Sequence, residues 1–244
     1  MSVSPRQLKY LELMGIDVWR LRDGPAPAGG VGAAPQLVEG APRLEGDAAW
    51  EALRREVAVC EKCQLHQGRT QAVFGTGNAR AEWMLIGEAP GAEEDRQGKP
   101  FVGRAGQLLT NMLGAIGLDR DEVFIANILK CRPPNNRDPR PEEVAACGDF
   151  LRRQIAHVRP RIILALGRVA AQNLLQVDTP IGRLRGKVHE YPDLKIPVVV
   201  TYHPAYLLRS PSEKRKSWQD LKAAVKSGDA AITQWRAEHG AKLV

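Results

Sequence analysis

Short, wholly apolar runs recur along the chain from about residue 83 onward, and each is followed at once by a glycine or a polar residue. A run of four or five apolar residues with such boundaries is typical of a strand that is buried on both faces. The pattern therefore predicts four buried strands, at 83–86, 123–126, 162–166 and 198–201.

Helical periodicity fills the gaps between these runs. One apolar face comprises Leu108, Leu109, Met112, Leu113 and Ile116, and a second comprises Val144, Cys147, Leu151, Ile155 and Val158. Pro141 followed by two glutamates is a typical start for the second helix. Strands that alternate with crossover-length helices predict an α/β fold, here a three-layer α/β/α sandwich around a central four-stranded, mostly parallel sheet.

Changes in composition divide the chain into four predicted segments. Residues 4–14 read as a short helix with a capping serine at its start and a glycine after its end, and residues 1–22 as a whole form an N-terminal peptide. Residues 23–47 are rich in Pro, Ala and Gly and are typical of a flexible linker. The folded domain is predicted at 48–228, with a C-terminal tail at 229–244.

Charge and hydropathy narrow the class of protein. The formal net charge is +7 and the sequence pI is near 9.4, which favours a polyanionic partner. No apolar run approaches 18 residues, so we expect no membrane-spanning helix and no membrane partner. Free thiols kept for a metal fit a reducing compartment, which predicts a cytoplasmic protein.

The four cysteines of the chain are spaced as a close pair followed by two distant partners, at Cys60, Cys63, Cys131 and Cys147. Such spacing gathers four thiolates around one metal centre from separate elements. The alternative is four unrelated buried thiols, but Cys60 and Cys63 lie in a charged segment without an apolar run to bury them. Spacing alone leaves zinc and an iron–sulfur cluster open.

Candidate functional groups follow three of the four predicted strands. They are the loop 87–91 (GEAPG), Asn127 and the segment 202–204 (YHP). Each has an ordinary explanation when taken singly, as a turn, a cap or a solvated histidine. Ligands of parallel sheets bind outside the carboxyl ends of the strands, so we expect these groups to converge. Phosphate-loop and GxGxxG patterns are absent from the sequence, which argues against a nucleotide cofactor.

Four segments in order resemble the motifs of the family 4 uracil-DNA glycosylases of bacteria and archaea. They are GEAPG with a Glu-Asp pair at 87–95, GKPFVGRAGQLL at 98–109, NILKCRPPNNRDP at 127–139 and HPAYLLR at 203–209. The resemblance covers roughly residues 50–225. It implies the uracil-DNA glycosylase fold, excision of uracil from single- or double-stranded DNA in base excision repair, and one [4Fe–4S] cluster. In that family all four of these cysteines hold the cluster.

The resemblance also implies how the pocket works. Phe101 stacks on the flipped uracil, and the amide of Asn127 hydrogen-bonds its Watson–Crick edge. His203 donates a hydrogen bond to the uracil oxygen as negative charge develops. The implied substrate-binding set is Gly87, Glu88, Ala89, Phe101, Asn127 and His203.

The group that positions the attacking water stays open in the sequence. In the best-known uracil glycosylase family a carboxylate of the first motif has this role, and Ala89 occupies that place here. Glu88 is the nearest carboxylate and joins Asn127 and His203 as a candidate catalytic residue. Glu94 and Asp95 follow behind it.

Two segments are expected to contact DNA. Leu207, Leu208 and Arg209 are expected to wedge into the duplex and hold the opened backbone, as the resemblance implies. The loop after Cys131 is basic and rich in proline, and its Arg132, Asn136 and Arg137 are suited to phosphates.

The N-terminal peptide resembles a different family. Residues 10–22 (YLELMGIDVWRLR) are similar to the N-terminal peptide of the psi subunit of the DNA polymerase III clamp-loader complex, which docks on the chi subunit. The residues that carry this resemblance are Leu11, Gly15, Ile16, Trp19 and Leu21, and all of them except Gly15 are expected to contact chi. The alternative is an amphipathic helix folded back onto the main domain.

Two classes of function therefore compete. The first is an active uracil-DNA glycosylase tethered to the replisome, and the second is a non-catalytic, psi-like adaptor that binds chi. An idle domain is free to lose Glu88, Phe101, Asn127 and His203, and all four are present, which favours the enzyme. A covalent uracil-trapping relative is a third option, but the stretches 102–126 and 128–140 leave no room for its basic insertion.

Overall fold

The core of the molecule is one mixed β-sheet. The computed structural model describes residues 9–10, 12–14 and 44–239, and within them six strands lie in the order β1-β3-β2-β4-β6-β5. The strands are β1 (Thr76–Gly77), β2 (Trp83–Gly87), β3 (Val123–Asn127), β4 (Ile162–Leu166), β5 (Val188–Glu190) and β6 (Pro197–Thr201). The inner four are parallel and coincide with the predicted runs, while β1 and β5 add short antiparallel edges.

Helices connect and cover these strands. They are α1 (Leu44–Ala58), α2 (Ala92–Gln97), α3 (Arg104–Ala115), α4 (Pro141–Val158), α5 (Arg168–Leu175), α6 (Ile181–Leu184), α7 (Pro204–Arg209) and α8 (Lys214–His239). Both helices expected from periodicity are present, and α4 begins at Pro141 as its sequence predicts. Across the described residues no helix is both long and apolar enough to cross a bilayer.

Side chains alternate across the sheet, so each strand feeds two separate cores. Met84 and Ile86 point into one core with apolar side chains of α1, α4, α5 and α6. Trp83 and Leu85 point into the other, with side chains of α3, α7 and α8. The predicted three-layer α/β/α architecture is therefore confirmed.

The ends of the domain reach beyond the predicted boundaries. Helix α1 begins at Leu44, inside the proline- and glycine-rich stretch, and α8 runs without a break past residue 228 to His239. Between residues 229 and 239 only Ile232 and Trp235 are large apolar residues. The sequence therefore has no continuous apolar stripe there from which the end of the helix is predicted.

Part of the N-terminal peptide packs on the domain. Met14 is 3% exposed and belongs to the core beneath α3, and its N–H donates to the carbonyl of Tyr10 at 3.0 Å. The ring of Tyr10 lies against Gly114 in α3, where a Cβ would stand 2.5 Å from the ring. Leu11, Gly15, Ile16, Trp19 and Leu21 lie outside the described residues.

The four parallel strands end together at one edge of the sheet. Gly87 at the end of β2 pairs in register with Asn127 at the end of β3, and Leu166 pairs with Thr201. The loops that follow these residues therefore share a common edge, as is general for parallel sheets.

Candidate active site

Four of the expected pocket residues meet at this edge. A Cβ placed on Gly87 would stand 2.5 Å from Oδ1 of Asn127 and 2.7 Å from the ring of Phe101. No side chain fits between them, so glycine lets the backbone of the first motif lie directly beside both groups. The ring of Phe101 in turn lies 5.4 Å from the ring of His203, tilted by 31°.

The backbone of Phe101 is held in an unusual conformation. Its φ is +54°, in the left-handed region that a bulky side chain rarely adopts. A Cβ on Gly106 would lie 1.8 Å from the carbonyl oxygen of Phe101, so the start of α3 requires glycine there. Strain of this kind persists only where the surroundings fix it, and it is common at ligand sites.

The carboxylate of Glu94 fixes the Phe101 loop. Its Oε1 accepts the N–H groups of Val102 and Gly103 at 3.0 and 3.2 Å, and its Oε2 accepts that of Gly91 at 3.1 Å. One side chain thus joins the first motif to the segment that carries Phe101. Asp95 is also engaged, because both its oxygens accept the N–H of Thr70 at 3.0 Å.

The side chain of Asn127 presents an acceptor without a donor. The residue is 2% exposed, and its Oδ1 has no hydrogen-bond partner among the described residues. Leaving a buried amide oxygen unpaired costs about 1–3 kcal/mol. The arrangement is therefore suited to a ligand that brings an N–H group between Phe101 and Asn127.

His203 is a neutral imidazole beside Phe101. Its Nδ1 accepts the N–H of Ala205 at 3.1 Å, so the ring proton lies on Nε2. Burial, assisted by Arg209 and opposed by Glu94, lowers the pKa of His203 to about 4. The imidazole consequently stays uncharged at neutral pH.

Gly167, directly after β4, completes the setting of His203. Its φ is +96°, and a Cβ there would stand 3.0 Å from Cβ of His203. The end of β4 thus contributes the space that His203 occupies, whereas polar groups lie at the ends of the other three parallel strands.

Glu88 is half-buried directly after β2. Burial raises the pKa of its carboxyl, the nearby Asp138 raises it further, and Arg168 lowers it. Arg168 and Asp138 form an ion pair with each other. Within residues 44–239 the Glu88 carboxylate has no backbone N–H donor, in contrast to Glu94 and Asp95.

All four cysteines line a second cavity. Its wall also includes Val57, Lys62, His66, Lys130, Ala146 and Phe150. Burial raises the pKa of the Cys131 thiol, and it raises that of Cys147 to about 11. In the described part of the chain, no three His, Cys, Asp or Glu side chains are arranged to hold a single metal ion.

Positive groups and N–H donors surround these thiols. Arg69 donates to Sγ of Cys131 at 3.0 Å and to the carbonyl of Cys60 at 2.9 Å. The backbone N–H of Lys130 points to Sγ of Cys147 at 3.3 Å. Burial lowers the pKa of the Lys130 amine to about 8, against the opposing effect of Cys147 and Cys131. N–H donors thus reach the sulfurs of Cys131 and Cys147.

The expected wedge is only partly exposed, which corrects one prediction. Leu207 is 1% exposed in the core beneath α7, so it cannot enter DNA. Leu208 is 37% exposed, and Arg209 is exposed beside it. Consecutive residues of a helix point in different directions, which a motif read as letters does not show.

The basic loop is likewise only partly available. The guanidinium of Arg137 pairs with the buried carboxylate of Glu143 and also donates to the carbonyl of Asp138, so it braces the start of α4. Arg132 donates from Nε to Oδ1 of Asn136 at 2.8 Å, and Asn136 is exposed. The pair Arg132–Asn136 remains at the surface beside the cysteine cavity.

Comparisons with known proteins agree with this geometry. A family model described as the uracil DNA glycosylase superfamily matches residues 74–222, well over half of the chain. The chain belongs to this superfamily of DNA-base glycosylases, which confirms the predicted class of fold and enzyme.

Several type-4 uracil-DNA glycosylases are similar over most of the chain. The protein of Archaeoglobus fulgidus is 51% identical over 174 residues, which cover 69% of this chain and 87% of that protein. The protein of Saccharolobus solfataricus is 48% identical, with coverage of 68% and 81%. The protein of Thermotoga maritima is 46% identical, with coverage of 67% and 85%. Similarity to the type-4 enzymes is therefore shown over nearly the whole of each relative.

Proposed function

We propose that this chain is a uracil-DNA glycosylase of the type-4 kind, which flips uracil out of DNA and hydrolyses its N-glycosidic bond. The observation that carries the proposal is the unpaired, buried Oδ1 of Asn127. Uracil has an N–H at its N3 position, whereas cytosine has a bare nitrogen acceptor there. An oxygen acceptor at this point therefore favours uracil, since cytosine would leave two acceptors facing each other.

Binding of the flipped base rests on two further contacts. Phe101 offers its ring face for stacking, and the strained loop conformation holds that ring in place before the base arrives. Gly87 lets the base lie against backbone. When the side chains of a pocket are already ordered, binding does not incur the free-energy cost of ordering them.

Cleavage is assisted by stabilising charge on the departing base. As the glycosidic bond breaks, electrons move onto the uracil, and Nε2–H of His203 donates to the oxygen where this charge accumulates. Because the ring is neutral and its tautomer is fixed by Ala205, no proton has to be gained or lost beforehand. Such electrostatic stabilisation is commonly worth about 3–4 kcal/mol.

We assign the positioning of water to Glu88. The other two carboxylates of this region, Glu94 and Asp95, already accept backbone N–H groups. Glu88 lies on the carboxyl edge of the sheet with its oxygens not taken by backbone donors in the described residues. Arg168 opposes the rise of its pKa and thus favours the carboxylate form.

Cys60, Cys63, Cys131 and Cys147 are proposed to hold one [4Fe–4S] cluster. Their fit is supported by the shared cavity and by the N–H groups of Arg69 and Lys130 on two of the sulfurs. When bound, the cluster would supply a rigid, thiolate-linked brace. Cys131 would then anchor the loop that begins at Arg132.

DNA is proposed to lie across the edge formed by α7 and the basic loop. Leu208 would fill the space that the flipped nucleotide leaves, while Arg209, Arg132 and Asn136 would contact phosphates. The net charge of +7 favours this binding in a salt-dependent manner.

We also propose a binding partner for residues 1–22. Their similarity to the psi peptide supports binding to the chi subunit through Leu11, Ile16, Trp19 and Leu21. Tyr10 and Met14 pack on the domain, so Ile16, Trp19 and Leu21 would bind directly beyond this anchored turn, while Leu11 falls between Tyr10 and Met14 in the sequence. The adaptor alternative finds no support among the comparisons, whose matched type-4 relatives are glycosylases by name.

A single-turnover assay tests the proposed function. Labelled oligonucleotides that carry uracil, single-stranded or opposite G or A, are incubated with the protein, and abasic product is measured against matched cytosine controls. Wild-type protein should release uracil alone. Asn127→Asp should lose about tenfold or more in uracil-over-cytosine preference, because the amide donor becomes an acceptor.

Asn173→Asp is the matched control for this substitution. Asn173 lies on α5 and donates to the carbonyl of Val169, away from the pocket, so its variant should behave as the wild type does. Absence of uracil release from every substrate by cluster-loaded wild-type protein would overturn the proposal.

A further inference from the structure

A five-residue segment, 127–131, joins the base pocket to the cysteine cavity. It starts at Asn127 and ends at Cys131. The N–H of Ile128 donates to the carbonyl of Gly87 at 3.0 Å. The N–H of Leu129 donates to the carbonyl of Glu88, also at 3.0 Å. The segment is therefore attached along its length to the first motif.

Lys130 closes this segment on itself. Its Nζ donates back to the carbonyl of Asn127 at 2.8 Å and to Oε1 of Gln154 at 2.6 Å. Lys130 is 1% exposed and Gln154 is fully buried. Gln154 is fixed in turn, since its amide donates to the carbonyl of Phe74 at 2.8 Å.

The backbone of Lys130 is anchored on the cavity side. Its N–H points to Sγ of Cys147 at 3.3 Å, and its carbonyl accepts the N–H of Val73 at 2.7 Å. One residue thus contacts a cavity cysteine through its backbone and the base-reading residue through its side chain.

Removal of an amine from water costs free energy that buried hydrogen bonds only partly return. Stability of the fold alone therefore does not explain a buried lysine at position 130. The geometry gives a different reason, because its amine fixes the backbone from which the Asn127 amide projects.

We infer that Lys130 is a positioning residue that couples the four-cysteine cavity to the amide of Asn127 and so sets the rate of uracil release. The inference rests on the proposed function for its catalytic consequence. Its structural content, that Lys130 orders residues 127–129, stands independently.

Two variants test the coupling. Lys130→Met keeps an unbranched side chain of similar length but removes the amine that donates to the carbonyl of Asn127 and to Oε1 of Gln154. Gln154→Met keeps the lysine and removes its second acceptor. Arg153→Met is the matched control, because Arg153 lies next to Gln154 on α4 but is exposed and pairs with Glu56.

Three quantities are measured for each variant: iron per chain, the single-turnover rate with DNA affinity, and site-resolved amide exchange by NMR. For Lys130→Met we expect at least a tenfold loss of rate per cluster-loaded chain at unchanged DNA affinity. We also expect faster exchange at Ile128 and Leu129, but not at Leu164 in β4. Gln154→Met should show the same changes to a smaller extent, and Arg153→Met none.

Each contrary result is distinct. A rate that returns to the wild-type value once normalised to iron content would overturn the coupling, as would equal acceleration of exchange throughout the sheet. If Lys130→Met does not fold, Gln154→Met carries the same test. If wild-type protein releases no uracil, the proposed function fails, while exchange at Ile128 and Leu129 still decides the role of Lys130.

Discussion

The backbone N–H of Ala205 donates to Nδ1 of His203 over 3.1 Å, and this single contact decides which face of the imidazole can act. The ring proton is thereby placed on Nε2, and this tautomer is held by the first turn of α7. A backbone group thus selects the tautomer that the proposed stabilisation of the departing base requires.

Replacement of His203 should affect the chemical step more than binding. In His203→Ala the donor to the uracil oxygen is gone, so we expect the single-turnover rate to fall by about 10²- to 10³-fold. DNA affinity should change little, since the ring is proposed to contact the base rather than the phosphates. His189→Ala is a suitable control, as His189 contacts the carbonyl of Leu184 instead. Equal losses in rate and affinity would show that His203 positions the DNA.

The buried state of His203 predicts how stability depends on pH. Its pKa is about 4 in the folded protein and near 6.5 in the unfolded chain. Between these values the unfolded chain binds more protons, so stability should fall as pH falls from 6.5 toward 4. The free energy of unfolding, measured with denaturant, should fall less over this window in His203→Asn than in the wild type, by on the order of 2 kcal/mol. His157, whose pKa burial also lowers, contributes equally to both proteins. Parallel curves for the two proteins would contradict the prediction.

Leu207 and Leu208 should behave as opposites. Leu207→Ala opens a cavity in the core and should reduce the free energy of unfolding by about 2–5 kcal/mol. Leu208→Ala should leave that free energy within about 0.5 kcal/mol of wild type. It should instead slow uracil release from duplex more than from single-stranded DNA. Unfolding curves and paired excision assays measure both effects, and a duplex-specific defect confined to Leu207→Ala would refute the assignment.

The four-cysteine cavity predicts a coloured protein. Anaerobically purified chain should absorb broadly near ~400 nm and contain about four iron atoms, as thiolate-bound clusters do. Cys131→Ser or Cys147→Ser should lose the iron and lower the melting temperature, because both cysteines lie in the core. Elemental analysis and thermal melts provide the measurements. A colourless, zinc-loaded and fully active protein would sink the assignment.

The N-terminal peptide predicts two separable effects. Trp19→Ala should weaken binding to chi by at least ~2 kcal/mol, because short peptides concentrate affinity in an aromatic anchor. Its uracil release should be unchanged. Tyr10→Ala should instead lower the melting temperature, since its ring packs on Gly114. Titration calorimetry with chi and thermal melts separate the two. If removal of residues 1–22 leaves chi binding intact, the tether is wrong.

The sequence predicts the centre of the fold better than its margins. The four parallel strands are continuous apolar runs, so their burial follows from residue type alone. The edge strands are missed because β1 has two residues and β5 is largely exposed, so neither forms a pattern. The rule that ligands bind at the carboxyl ends of parallel strands predicts that Asn127 and His203 lie at one edge of the sheet, and in the structure they do.

What the sequence could not provide is the set of contacts that arise only on folding. Lys130 reads as the polar boundary of an apolar run, yet its amine turns inward to the carbonyl of Asn127. Arg69 is 62 residues from the cysteine whose sulfur it contacts, so no local signal joins them. Glu94 is recognisable as a carboxylate in a motif, but its three backbone partners are not. Gly167 carries no functional group, and only its position against His203 gives it a role.

The absence of a side chain at residue 167 also has a use for interpreting other sequences. A methyl group there would press on the histidine from behind, and the left-handed backbone would resist it as well. A larger residue at this point would require the histidine side chain to shift by a few tenths of an ångström and the backbone to hold a strained conformation. In a related sequence, this one position therefore indicates whether the histidine can sit as it does here, independent of whether the motif letters themselves are retained.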